Sequence, residues 1–317
     1  MSSFKFYQTP DDNSMFLHPL APGAHGVGGY CRAPGSFGNH NFSNHAEKFG
    51  ELNKIADPFS PAMKNGGAEE VKKIEEEMAY GPEDAPKTMR NKNWSVAAGL
   101  IEYWLHGNAK IMPESVRTGK DTARSYGAIS TGIVTMAFVQ GFARANTGIS
   151  LLKGKMDKEN TKKSILNVVK KNYPGISLNE KTRLSIDNSL LDVVDLHTNW
   201  QFQYEQVGSQ FDTLDHLTAA LGRFSLMAAI RKAEIKDGVI TVNEIGIYVR
   251  DVFDFSGSQS LGCWTDSDVS RWGVRPFCTT LSNASFDQYR ARTGKGMDFL
   301  VFSDILTQSV DVKIKVQ

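Results

Sequence analysis

Cysteine is scarce in this chain: Cys31, Cys263 and Cys278 are the whole set, an odd number without Cys-x-x-Cys spacing. That argues against a disulfide-framed secreted scaffold and against a thiolate zinc site, and it fits synthesis in a reducing cytoplasm. Excess charge of either sign is also missing. Lys and Arg total 36 against 35 Asp and Glu, a formal +1, so no broad field draws the chain onto a phosphate backbone and no nucleic-acid partner is expected. From Met1 to Pro10 there is no basic stretch followed by an apolar run, so no Sec-type signal peptide is visible and export would need another carrier. His-Glu-x-x-His, Gly-x-Ser-x-Gly and the Walker Gly-x-x-x-x-Gly-Lys-Ser/Thr pattern are absent, and Gly294-Lys-Gly296 lacks the Walker spacing. Phosphate-loop and common hydrolase chemistries drop out with them.

What is present is an ordinary globular composition, 40% hydrophobic, 10% aromatic and 22% charged over 317 residues. Such a chain can bury a substantial core in one large domain or two intimate ones. Its texture changes twice, dividing residues 1–81, 82–198 and 199–317. The first part is an irregular arm, crowded with Gly, Pro, Asn and His between His18 and Asn44. His18, His25, His40 and His45 fall there, but their irregular spacing favours a plain surface arm over a metal site. A short charged helix is expected from Glu69 to Tyr80, with Val71, Ile74 and Met78 on one face. Its Glu75-Glu-Glu77 run reads as solvated, since adjacent helical positions do not face each other.

The middle part reads helical. Apolar residues recur at three- and four-residue spacing from near Pro86 through Trp94, Leu100, Ile101, Trp104 and Leu105, and His106-Gly107-Asn108 ends the run. Ser125 to Ala143 carries no charged side chain, a length close to the ~20 residues of a membrane span. Its serines, threonines, Gln140 and three glycines instead favour a buried helix in a soluble fold. Lys153 to Lys171 reads as a basic amphipathic helix stopped by Pro174-Gly175.

The last part reads as sheet. Trp200 to Tyr204 alternates, Leu214 to Leu221 is a short helix capped by Asp212 or Thr213, and Phe224 to Ala229 pairs with Val239 to Val252 around Asp237-Gly238. Asp298 to Phe302 and an edge-like Val310 to Val316 follow. The expected architecture is α+β, a central helical layer packed on a C-terminal antiparallel sheet.

The apolar strand after Ile245 runs into two acids, Asp251 and Asp254. Two carboxylates at a strand end can hold a divalent cation such as Mg²⁺, or act as base and electrostatic partner. Arg290, Arg292 and Lys295, beside Gly294 and Gly296, can meet an anionic substrate through side chains and backbone amides. The structural alternative pairs Asp251 with an arginine and uses Asp254 to cap the Phe255-Ser-Gly-Ser turn. Glu102, Asp215 and His216 offer a second acid–base set, which leaves a lysozyme-like wall hydrolase open; a helical Asp-His is also commonly a cap and a surface residue.

Five blocks, Asn93 to Leu105, Thr135 to Ala145, Leu214 to Phe224, Gly246 to Phe255 and Gly294 to Asp304, resemble in order an uncharacterised proteobacterial family encoded beside type VI secretion spike genes. The resemblance covers about Pro82 to Asp304. It implies an antibacterial toxin injected into a rival's envelope or periplasm, with a VgrG/PAAR spike protein or adaptor and an immunity protein as partners. It transfers no reaction. Locally, Asp251-Val-Phe-Asp254 is similar to the start of the colicin M motif, whose bearers cleave the lipid-linked peptidoglycan precursor with carboxylates, a histidine, an arginine and a divalent cation. Phe253 stands where that motif has tyrosine, and Ser260-Leu261 where it has His-Arg. Arg290, Arg292 or His216 would have to supply the missing groups. Two other readings stay open: a toxin that inserts Ser125 to Ala143 into a membrane, and a non-enzymatic adaptor of the spike.

Overall fold

Asp237 and Gly238 both take positive φ, 52° and 70°, as a two-residue type I′ loop requires, and this turn starts the sheet. It joins β4 (Phe224–Lys236) directly to β5 (Val239–Phe253), which pair antiparallel from Lys236↔Val239 to Ser225↔Arg250. The computed structural model describes residues 80–316 except 177, 180, 210, 211, 258 and 272–277. The Glu69 to Tyr80 helix and the four N-terminal histidines therefore lie outside the described residues, save Tyr80.

Along the far edge of β4 run β2 (Leu184–Asp187) and β3 (Gln201–Val207). On the other side β10 (Leu306–Lys315) takes the first half of β5 and β9 (Phe299–Phe302) the second. β1 (Ile129–Ser130) joins β9 in parallel, so the seven-stranded sheet is mixed. The expected α+β class holds, but the sheet is antiparallel only apart from β1, and β1 and β2 come from the segment read as helical. A three-stranded sheet contains β6 (Ser260–Trp264) between β7 (Val269–Ser270) and β8 (Thr279–Ser282). Cys263 in β6 is disulfide-bonded to Cys278 just before β8, with Cα atoms 5.4 Å apart. The cysteine count gave no hint of this single bridge.

Helical periodicity was more continuous than the helices. The run from Pro86 is two helices, α1 (Ala85–Asn91) and α2 (Ser95–His106). Asn93, at φ 60°, breaks it, and the Trp94 N–H turns back to the Met89 carbonyl at 2.8 Å. Both helices bury one face, including Met89, Ala97, Leu100 and Trp104, so the apolar spacing runs across the break. A short α3 (Glu114–Arg117) follows.

Ser125 to Ala143 is not one helix. α4 (Ala123–Tyr126) closes on Gly127 at φ 79°, β1 and a loop intervene, and α5 (Met136–Gln140) restarts where Thr135 accepts from the Phe138 N–H. α6 (Ala143–Gly154) then begins. The uncharged segment is neither one helix nor buried throughout, since Ser125, Gly127, Thr131, Ala137 and Gln140 are exposed, and no helix among the described residues is long and apolar enough to cross a membrane. The basic helix α7 spans Glu159–Asn172, starting later than Lys153 because residues 155–158 form a turn.

α6, α7 and α8 (Val193–Trp200) pack on β3 and β4, while α9 (His216–Leu221) lies on α2. Asp215 caps α9, in place of Asp212 or Thr213, by accepting from the Thr218 N–H. α10 (Asn283–Thr293), capped by Ser282, completes the helices. At the core's centre Trp104 meets Phe255 and Phe286 edge-on at 5.0 and 5.3 Å. Gly296, at φ 107°, comes so close to this indole that an added Cβ would sit 2.4 Å from it.

Candidate functional site

β5 carries Arg250 and Asp251 into the core, and Asp254 follows just past its end; all three are almost fully buried. Successive strand residues point to opposite faces, so Arg250 and Asp251 serve different sides of the sheet. Asp254 pairs with Arg117 from α3. Arg117 also donates to the Ser256 hydroxyl at 2.8 Å, which reaches the Asp254 carboxylate at 3.3 Å. Burial pushes Asp254 up to about 7, with Arg117 pulling the other way and Asp298 reinforcing the rise.

Asp298 is the second acid of this interior network. It pairs with Arg290, accepts from the Trp104 indole at 3.0 Å and from the Met112 N–H at 3.0 Å. Its own carbonyl accepts from the Tyr126 hydroxyl at 2.6 Å. Burial raises Asp298 above its usual range while Trp104 and Arg290 oppose the rise. The Arg290 guanidinium lies over the indole, 5.1 Å from its centroid. Arg117–Asp254 and Arg290–Asp298 thus form two ion pairs within electrostatic reach of each other, packed against aromatic rings.

Asp251 stands apart. Its Oδ1 is buried without a hydrogen-bond partner, and burial lifts the carboxyl well above the ordinary range despite the Val252 amide. The protonated form is the one this position favours. Asp251 and Asp254 therefore do not suit a divalent cation, which needs ionised oxygens converging on one point. Among the described residues no group of three or more His, Cys, Asp and Glu side chains is placed to hold a metal.

The remaining candidates are dispersed. Arg292 is exposed and pairs with Glu83 at 3.0 Å. The His216 Nε2 accepts from the Val96 N–H at 3.0 Å and its ring packs on Phe138; burial lowers its pKa, with Asp215 opposing. Asp215 itself is held by Arg144, and Glu102 pairs with Arg90 at the surface. The amides of Gly294, Lys295 and Gly296 are spent on Arg290, Thr293 and Gly107, so they offer no anion cradle. Of the acids and cations singled out around the strand end, Asp254 and Arg290 share one interior network, while Asp215 and His216 stay together at the start of α9.

A cavity of about 260 Å³ opens on the other side of Arg250. Arg250 and Leu300 line it from the sheet, His197 and Gln201 from the end of α8 and the start of β3, Val168 and Lys171 from α7, and residues 119–122 from the loop before α4, with Ala123 at the start of that helix. Two of the Arg250 bonds go from Nη2 to the Val116 and Arg117 carbonyls, both at 3.3 Å. His197 Nδ1 and the Tyr248 hydroxyl are 3.0 Å apart. Burial, then Arg250, holds this imidazole well below its usual pKa, so it is neutral. Arg117, Asp298, Arg250 and His197 escaped sequence reasoning. Only Asp298 and Arg250 carried a signal, each being a charge set inside or beside an apolar strand run.

A family model described as Family of unknown function (DUF6402) matches residues 83–279. No curated protein and no solved structure matches the chain.

Proposed function

We propose that this chain, which belongs to the DUF6402 family of unknown function, is an antibacterial effector delivered by a type VI secretion machine. Its field of action is the target-cell envelope, with peptidoglycan or its lipid-linked precursor as the substrate class. The partners this implies are a spike protein of the VgrG/PAAR type or its adaptor, and an immunity protein in the producing cell.

The observation that supports the reading is that the resembling blocks meet in space. Trp104 of the first block donates to Asp298 of the last and packs on Phe255 of the fourth, while α9 of the third lies on α2 of the first. The resemblance therefore follows one connected centre of the fold. Within it Asp254 and Asp298 serve as interior ion pairs, and a cavity opens over Arg250.

Expression in a susceptible bacterium with and without a periplasmic signal tests the proposal. Killing confined to the periplasmic form is expected, and harmless expression in both compartments would refute it. A second reading, a non-enzymatic adaptor of the spike, draws support from the burial of Asp251 and Asp254. Stable co-purification with spike components together with no toxicity in either compartment would select it.

A further inference from the structure

We propose that the cavity over Arg250 is a binding site for a phosphate group, carried on a small molecule or a lipid headgroup. The inference stands whether or not the chain is delivered as an effector. Three cations, Arg250, Lys120 and Lys171, line the cavity against one acid, Asp121. The cations are also arranged by depth: Arg250 is 2% exposed, whereas Lys120 and Lys171 are exposed. An anion entering between the lysines would meet progressively less water and so a stronger attraction to the guanidinium.

The guanidinium is already oriented, because the Val116 and Arg117 carbonyls accept from Nη2. An arginine fixed in this way presents planar donors that match phosphate oxygens. Thr198, Asn199 and Gln201 also line the cavity, held by their own donations to the Val194, Asp195 and Gln203 carbonyls, so the charged side chains are the main donors a ligand would meet. The ends of α7 and α8 would by themselves place partial negative charge here. Several of their carbonyls are already answered: Lys171 donates to Thr198 at 3.3 Å, and Asn172 to Val168 at 2.9 Å and Asn199 at 2.7 Å. What remains is the excess of two cationic side chains, which suits a dianion better than a single carboxylate. The volume, about 260 Å³, lies just under the ~300 Å³ at which drug-sized pockets begin, room for a phosphate and a short organic stub.

Titration of the full chain with inorganic phosphate, at ionic strength held constant with chloride and followed by calorimetry and ³¹P NMR, should show saturable binding. Lys120→Ala with Lys171→Ala, both at exposed positions, should weaken it at least about tenfold, and Arg250→Gln should abolish it. The exposed pair Lys153→Ala with Lys158→Ala, away from the cavity, should leave affinity unchanged. Because Arg250→Gln disturbs a buried position, the Lys120 and Lys171 variant decides the matter if that protein fails to fold. Glycerol phosphate binding without sedimentation on phosphatidylcholine vesicles containing phosphatidic acid would assign a soluble phosphate ester. Sedimentation abolished in the Lys120 and Lys171 variant would assign a lipid headgroup. No saturable phosphate binding, or equal weakening in both lysine pairs, overturns the proposal.

Discussion

Replacing Asp254 by alanine tests whether the acid at the end of β5 builds the fold or performs chemistry. The Asp254 side chain is 3% exposed and that of its partner Arg117 10%. Truncation removes the buried partner of this guanidinium, whereas Glu114, 3.4 Å away, is 66% exposed. Breaking a buried pair from one side costs about 3–5 kcal/mol. At roughly 2–4 °C per kcal/mol for domains of this size, Tm should fall by roughly 6–20 °C. Asp254→Asn, which keeps shape and hydrogen-bonding capacity, should lose less.

The pH dependence has a definite sign. Asp254 rises from 3.8 to about 7 on folding, so its contribution is complete below the unfolded value and is lost as pH rises through the folded one. The advantage of wild type over Asp254→Asn should therefore shrink between pH 4 and pH 8, by up to about 4 kcal/mol. Circular-dichroism melts of the three proteins across that range measure both effects. An Asp254→Ala protein that melts with wild type, or an advantage that grows with pH, would refute the structural role. Loss of killing by an Asp254→Asn protein of unchanged Tm would then mark the acid as a participant in the reaction.

Gly296→Ala forces a Cβ against Trp104 at φ 107° and should cost about 2–4 kcal/mol from overpacking and backbone strain together; urea midpoints would reveal it, and a midpoint equal to wild type would contradict the close approach. Reducing the Cys263–Cys278 bridge, which spans 15 residues, should remove about 3 kcal/mol, visible as a lower Tm in dithiothreitol, with peptide mapping of the unreduced protein to identify the bond. Asp215→Ala removes the cap of α9 and the partner of Arg144 and should cost about 1–2 kcal/mol. Toxicity abolished in a folded Asp215→Ala protein would instead place the Asp215–His216 pair in the reaction.

The β4–β5 hairpin was legible because its signal is local: Asp-Gly tolerates positive φ, and the flanking apolar residues fix the strands. Asp298 to Phe302 was legible for the same reason. Helix boundaries were less so, since burial of a common face continues through Asn93 and past Gly127, and apolar spacing records burial without recording where the backbone turns. The parallel pairing of β1 with β9 had no local cue at all. A two-residue strand is too short for alternation to appear, and its partner lies far along the chain.

The candidate site fails in a related way. Charges within an apolar strand were read as reaching solvent at its end, yet Phe253 and Phe255 are buried on either side of Asp254, so the acid goes inside with them. Whether such an acid can do chemistry depends on the group that meets it, and Arg117 sits in a short helix with no distinguishing pattern. Once Arg117 and Arg290 are placed opposite Asp254 and Asp298, the near-zero net charge acquires an interior counterpart: these groups are set against each other in pairs within the core. Arg250 lies on the face opposite its neighbouring acid Asp251, beside a cavity. The strand that suggested two catalytic carboxylates thus sets a cation at the floor of a cavity, and that reversal makes an anionic ligand the first one to try.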